Sequence, residues 1–189
     1  MEGANACADT LLGKINPSGK LPHTYPKRYR DCPSCGNFPG WNNEVWYSEG
    51  IFVGYRYYDY RNIEPLFPFG YGLSYTSFEI TGTTVDRREL NWEKNETAQL
   101  TVSIKNTGTC AGKEVIQIYV GQERPTMVKP EKELRYFQKI ELQPGAEKRA
   151  LFLLRVSDWA SFDTQRDDWT VEPGIYHVYV GNCSRGQFK

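Results

Sequence analysis

Glu49 lies between Tyr47 and Gly50, and a carboxyl group among aromatic rings is the setting in which burial can raise a pKa and make a general acid. The simpler expectation is that its carboxylate pairs with a nearby cation such as Arg56, or accepts backbone N–H bonds that order a loop. Asp59 is read in the same way. Asp158, Asp163, Asp167 and Asp168 flank strand-like stretches, where carboxylates mostly shape turns. Cys32-Pro33-Ser34-Cys35 has the spacing of half a zinc site or of a redox pair. A structural zinc needs two further ligands, and with His23 and His177 as the only histidines and no second Cys-x-x-Cys, neither metal nor cofactor is expected. The pair is expected to cross-link or to stay reduced in a loop. Gly-rich phosphate loops, Gly-x-Ser-x-Gly and His-Glu-x-x-His are missing, so nucleotide, serine hydrolase and zincin chemistry have no support.

The elements that would position these residues fall into two kinds. Ala4, Ala8, Leu11 and Leu12 recur at helical spacing and Gly13 follows, which predicts a short helix over Ala4–Leu12 with a small-residue face suited to lie against a sheet. So short a helix is marginal alone, and the expectation is that its partner lies upstream of Met1. Asn16-Pro17-Ser18-Gly19 then predicts a turn, with Lys20-Leu21-Pro22 extended after it. From Tyr25 to Gly72 the chain is rich in Pro, Gly, Tyr and Trp without a period, which predicts a long ordered loop held by aromatics.

After Phe78 the pattern changes to short strands divided by turn residues. Leu100, Val102 and Ile104 alternate with Thr101, Ser103 and Lys105, giving one buried and one wet face before the Asn106-Thr107-Gly108 turn. Further strands are predicted over Phe78–Val85, Val115–Val120, Phe137–Leu142, Arg149–Val156 and Tyr176–Val180. The expected fold is thus mixed: a partial α/β remnant and long loop over 1–75, then an all-β immunoglobulin-like or fibronectin type III-like sandwich over 76–185.

Three stretches of the first region resemble one family when taken together. They are Asn16-Pro17-Ser18-Gly19-Lys20-Leu21-Pro22, Glu49-Gly50-Ile51-Phe52-Val53-Gly54-Tyr55-Arg56-Tyr57-Tyr58-Asp59 and Pro68-Phe69-Gly70-Tyr71-Gly72-Leu73-Ser74-Tyr75. In this order they are similar to the end of the α/β sandwich domain of family 3 glycoside hydrolases. Lys113-Glu114-Val115-Ile116-Gln117-Ile118-Tyr119-Val120, Glu133-Leu134-Arg135-Tyr136-Phe137 and Val171-Glu172-Pro173-Gly174 resemble the fibronectin type III-like domain of the β-glucosidases in that family.

The resemblance implies a retaining mechanism, in which one carboxylate attacks the anomeric carbon and a second, about 5–5.5 Å away, protonates the leaving oxygen. In the family, the nucleophilic Asp stands in an N-terminal barrel and the acid/base Glu in the α/β sandwich, upstream of everything present here. No catalytic, substrate-binding, cofactor or metal residue is therefore assigned, and the chain is expected to be inactive alone. Its implied role is support within an enzyme that acts on a β-glucoside or oligosaccharide. The alternative is a non-catalytic sandwich that binds carbohydrate or protein as a module or scaffold. Trp41, Trp46, Tyr47, Phe52 and Tyr55 offer faces for a sugar ring, but structural packing is the expectation for them, as core filling is for Trp159 and Trp169.

Composition bounds the partners. Lys plus Arg and Asp plus Glu are 23 each, so no net field favours nucleic acid or an anionic membrane. No apolar run approaches the ~20 residues of a membrane span, and the first residues lack the layout of a secretion signal, so the chain is expected to be soluble. Its 5 cysteines are an odd number in a chain too large to need stapling, which favours reduced thiols. Two Asn-x-Ser/Thr triplets, at Asn95 and Asn182, leave the compartment open.

Overall fold

A computed structural model of the chain describes residues 2–186. Helix α1 (Gly3–Leu11) ends as predicted: Gly13 takes a φ of 72° and donates to the Thr10 carbonyl at 3.0 Å. It buries none of its residues, and Leu11 and Leu12 are exposed. The turn expected at Asn16–Gly19 does not form, and Gly19 is not left-handed. A tertiary role overrides the local preference of Asn16, whose amide oxygen accepts from Ser74 Oγ and the Tyr75 N–H at 2.9 Å each. Its nitrogen donates to the Ala111 carbonyl at 2.9 Å. Leu21 is held by Tyr71 and Gly70 through two backbone bonds of 2.8 Å, so the chain entering this region pairs with the chain leaving it.

Residues 25–72 are largely irregular, as predicted, with two short additions: a 3-10 turn at Tyr29–Asp31 and a helix, α2, over Tyr55–Tyr60. Gly54 precedes it at a φ of 61°, and Tyr55, Tyr58 and Asp59 are its buried residues. Those positions are i, i+3 and i+4, one face of a helix, so packing and not propensity explains a helix made of four tyrosines, an arginine and an aspartate.

Among the described residues eight strands follow: β1 (Phe78–Val85), β2 (Thr97–Asn106), β3 (Gly112–Gln122), β4 (Glu133–Leu142), β5 (Glu147–Arg155), β6 (Ser161–Asp163), β7 (Asp168–Thr170) and β8 (Tyr176–Gly181). They form two antiparallel sheets, β1-β2-β5 and β4-β3-β8, with β6-β7 as a separate hairpin. The predicted sandwich is present. β4 begins at Glu133, before its most apolar stretch, and Val156 leaves β5 to open a 3-10 turn ending at Trp159.

Leu100, Val102 and Ile104 from one sheet and Ile116, Ile118 and Val120 from the other meet in the core. At the end of β2, Asn106 is fully buried and fully used. Its side chain accepts from Thr76 Oγ1 at 2.7 Å and the Gly108 N–H at 3.0 Å, and donates to the carbonyls of Cys110 at 2.9 Å and Leu142 at 3.1 Å. The predicted Asn106-Thr107-Gly108 turn is thus built on a side chain.

Trp159 fills the core as expected. Trp169 does not: its short hairpin leaves it 61% exposed, with the Phe162 ring beside it in a T-shaped contact at 5.8 Å. Asp163 shapes its turn by accepting from the Gln165 N–H at 2.8 Å, whereas Asp158 accepts from the Tyr136 hydroxyl at 2.9 Å and so ties β4 to the 3-10 turn.

Candidate functional site

Because Ile116, Ile118 and Val120 point into the core, strand alternation turns Gln117, Tyr119 and Gly121 to the opposite face of β3. That face is buried too. Gln117 donates to the Gly70 carbonyl at 3.2 Å and the Asn182 carbonyl at 2.7 Å, and accepts from the Tyr119 hydroxyl at 2.6 Å. Gly70, at a φ of 78°, has no room for a side chain beside that amide. The Tyr55 ring stacks on Phe69 at 5.0 Å and meets Tyr119 edge-on at 5.7 Å, while its hydroxyl accepts from the Leu134 N–H at 2.8 Å. Burial raises the pKa of both phenols, Tyr119 by far the more.

One turn along α2, the Asp59 side chain is 3% exposed and lies between two cations. Lys132 Nζ donates to one carboxylate oxygen at 2.8 Å, and Arg185 Nε is 2.7 Å from the other. Arg185 also donates to the Tyr58 carbonyl at 3.0 Å. The ion group joins the first region, the loop before β4 and the turn after β8. Lys20 and Glu114 make a second buried pair across the same seam at 2.5 Å, and Arg56 with Glu133 a half-buried third at 3.2 Å. The Arg56 pairing corrects the expectation for Glu49. No side-chain hydrogen bond or ion pair engages Glu49 among the described residues, because Glu133 on β4 takes the guanidinium.

The carboxylates that this arrangement buries are committed to cations or donors. Besides Asp59 and Glu114, Glu172 lies 2.9 Å from Lys129 and accepts from the Thr126 N–H at 3.1 Å. Burial pushes its pKa up, but the bonds from Thr126 and Lys129 outweigh that and hold it below the usual range. Acids so occupied order structure and are poorly placed to move protons. Among the described residues no group of three or more His, Cys, Asp or Glu could hold a metal ion, and the five cysteines are unpaired. The Cys32–Cys35 turn is closed by the Cys35 N–H, which donates to the Cys32 carbonyl at 3.1 Å. Asn95 and Asn182 are both exposed.

The aromatics divide differently from expectation. Tyr55 packs, and Phe52 stacks on Tyr60 at 4.3 Å. Trp41, Trp46 and Tyr47 do not: they are 88%, 72% and 90% exposed. Trp41 and Glu44 exchange backbone bonds of 3.0 and 2.9 Å around Asn42 and Asn43, both at positive φ. Asn tolerates positive φ at both central positions of such a two-residue hairpin turn, so the Asn-Asn pair is its sequence signal. Asn37 fastens its far side by donating to the Trp46 carbonyl. A pinned hairpin thus presents bare rings. With Leu11, Leu12, Leu73 and Tyr75 also exposed, the first region carries an apolar outer surface and a satisfied inner one.

Residues 1–75 match the pattern described as glycosyl hydrolase family 3 C-terminal domain, and residues 114–184 that of the fibronectin type III-like domain. The chain is 47% identical over 180 residues to thermostable beta-glucosidase B of Acetivibrio thermocellus, covering 95% of this chain and 24% of that protein. It is 41% identical over 194 residues to probable beta-glucosidase I of Aspergillus oryzae, covering 100% of this chain and 23% of that one. Among solved structures, the family 3 beta-glucosidase of Bifidobacterium adolescentis superposes with a TM-score of 0.88 at 39% identity, over 97% of this chain and 27% of that one. Beta-glucosidase 3B of Thermotoga neapolitana, in complex with glucose, superposes at 0.86 with 43% identity, over 98% and 25%. The chain spans about a quarter of the length of the curated relatives it matches.

Proposed function

The chain belongs to glycosyl hydrolase family 3, and on that footing we propose that it forms the C-terminal portion of a retaining β-glucosidase that releases terminal β-linked glucosyl residues. Residues 1–75 are read as the end of the α/β sandwich domain and 76–185 as the fibronectin type III-like domain. In this reading both parts support the catalytic domains and neither supplies the nucleophile or the acid/base. The β-glucoside or oligosaccharide substrate belongs to the complete enzyme.

The observation that carries the proposal is the commitment of every buried carboxylate to structure. A retaining glycosidase needs two carboxyl groups about 5–5.5 Å apart on either side of a bond, one of them free to attack. Asp59 and Glu114 are each neutralised by a cation inside the seam. The position of these pairs supports that reading, since they fasten the first region to the sandwich.

The test is the turnover of an aryl β-glucoside by the purified 189-residue chain and by the full product of the gene that encodes it. Release of the aryl group by the full product alone is expected. Turnover by the short chain that persists through purification would overturn the assignment of support without catalysis.

The bare rings of Trp41, Trp46 and Tyr47 favour one second reading, a carbohydrate- or protein-binding module. Quenching of the chain's tryptophan fluorescence by glucose or cellobiose would select it.

A further inference from the structure

Cys32, Pro33, Ser34 and Cys35 occupy the four positions of a tight turn, and Pro33 stands second, where its ring fixes the φ that such a turn needs. The α-carbons at the two ends of a turn of this kind lie within about 7 Å of each other. A disulfide spans α-carbons about 4.4–6.8 Å apart, so the backbone already holds the two cysteines at bridging range. Both ends of the turn are fixed. The Cys32 N–H donates to the Tyr29 carbonyl at 3.0 Å, closing the 3-10 turn before it. The Ser34 carbonyl accepts from the N–H groups of Asn37 and Phe38 at 3.0 Å each, with Gly36 between them at a φ of 83°.

The two cysteines lead to different parts of the first region. Cys35 is exposed, whereas Cys32 is half-buried and lies beside the Tyr58 phenol of α2, itself 3% exposed. Burial is the main cause that pushes this phenol up to about 12, and Cys32 is the next. Tyr58 adjoins Asp59, so Cys32 leans on the helix that carries the buried ion group. Beyond Cys35 stands Asn37, whose side chain donates to the Trp46 carbonyl and to Ser48 Oγ at 3.3 Å. Those bonds fasten the hairpin that presents Trp41, Trp46 and Tyr47.

We propose that Cys32 and Cys35 are a thiol-modification site, a reversible dithiol–disulfide pair whose oxidation stiffens the base of the aromatic hairpin. The co-reactant is a low-molecular-weight disulfide. The exposed Cys35, as thiolate, attacks one of its sulfurs; that S–S bond breaks and one thiolate leaves. Cys32 then gives its proton to water, attacks the Cys35 sulfur and displaces the second thiolate. The pair loses two electrons and two protons, and the co-reactant is reduced to two thiols. Because the turn is already formed in the folded chain, the internal bond closes more readily there than in the unfolded chain, and by linkage it stabilises the fold by the same factor.

The test equilibrates the whole chain in mixtures of reduced and oxidised glutathione, blocks free thiols by alkylation and weighs the tryptic peptide of residues 31–56, which holds these two cysteines and no other. The expected result is a saturable passage from the doubly alkylated peptide to one that carries no label and is lighter by two hydrogen atoms. The equilibrium constant is expected to be at least about tenfold larger for the folded chain than for the chain in urea. Amide exchange over residues 37–48 is expected to slow at least about threefold on oxidation, and Cys35→Ser to abolish both effects. Double alkylation at every glutathione ratio, glutathione adducts in place of the internal bond, or an equal or smaller constant in the folded chain would each overturn the proposal. So would hairpin exchange that is the same in both redox states, or a bond between two chains on a non-reducing gel.

Discussion

Asp59 shows how little of a seam can be read one residue at a time. In the sequence it stands in a run of tyrosines, and its partner Lys132 lies 73 positions away, so no spacing rule joins them. Removing one member of a buried ion group strands the others, typically at about 3–5 kcal/mol, whereas removing both members of a pair costs less. Asp59→Ala is therefore expected to lower the unfolding free energy of the whole chain, measured by urea denaturation, by that order, and Asp59→Leu with Lys132→Met by less. Equal losses in the single and double variants would show that the pair carries no buried charge. Gln117 and Asn106 were hidden for a related reason. Each is a polar residue inside a strand, where periodicity treats it as a flaw in the pattern, yet each is engaged partly by segments far off in sequence: Asn106 by Thr76 and Leu142, Gln117 by Gly70 and Asn182.

At the scale of elements, the strands were legible because a sandwich buries one face and wets the other, and alternation records that directly. β3 is the exception that locates the seam: Ile116 to Gly121 are buried without a break, which marks a strand covered on both faces. α2 was illegible because its aromatic residues favour strands and its helical face is set by packing. The bare hairpin of Trp41, Trp46 and Tyr47 is illegible in the sequence because aromatic content cannot tell an inward ring from an outward one. Close approach at the seam yields an element-scale prediction. A Cβ at Gly121 would run into the Glu131 carbonyl, a backbone atom that cannot swing aside. Gly121→Ala is expected to cost about 1–3 kcal/mol, as overpacking does, and to loosen the Glu131–Lys132 segment from β3. The check is chemical denaturation together with trypsin cleavage after Lys132; unchanged values for both would mean that the segment moves freely.

For the molecule as a whole, the tyrosines report integrity across both regions. Burial pushes Tyr58 in the first region and Tyr136 and Tyr176 in the second up to about 12, the largest cause in each case being loss of water around the phenolate. A folded pKa above the unfolded value of about 10 means stability that is fully present below pH 10 and lost as pH rises towards 12. Phenolate absorbance from Tyr58, Tyr136 and Tyr176 is thus expected to rise late, towards pH 12, together with the loss of circular dichroism. A single stage near pH 10 would show that these rings are wet. The two regions that sequence patterns separate near residue 75 share Tyr119, Gln117 and the Asp59 ion group, so β3 belongs to two cores at once. Inheritance can shuffle the two patterns as separate modules only at the expense of leaving half of that strand bare: the unit that recombination sees and the unit that melts are different pieces of chain.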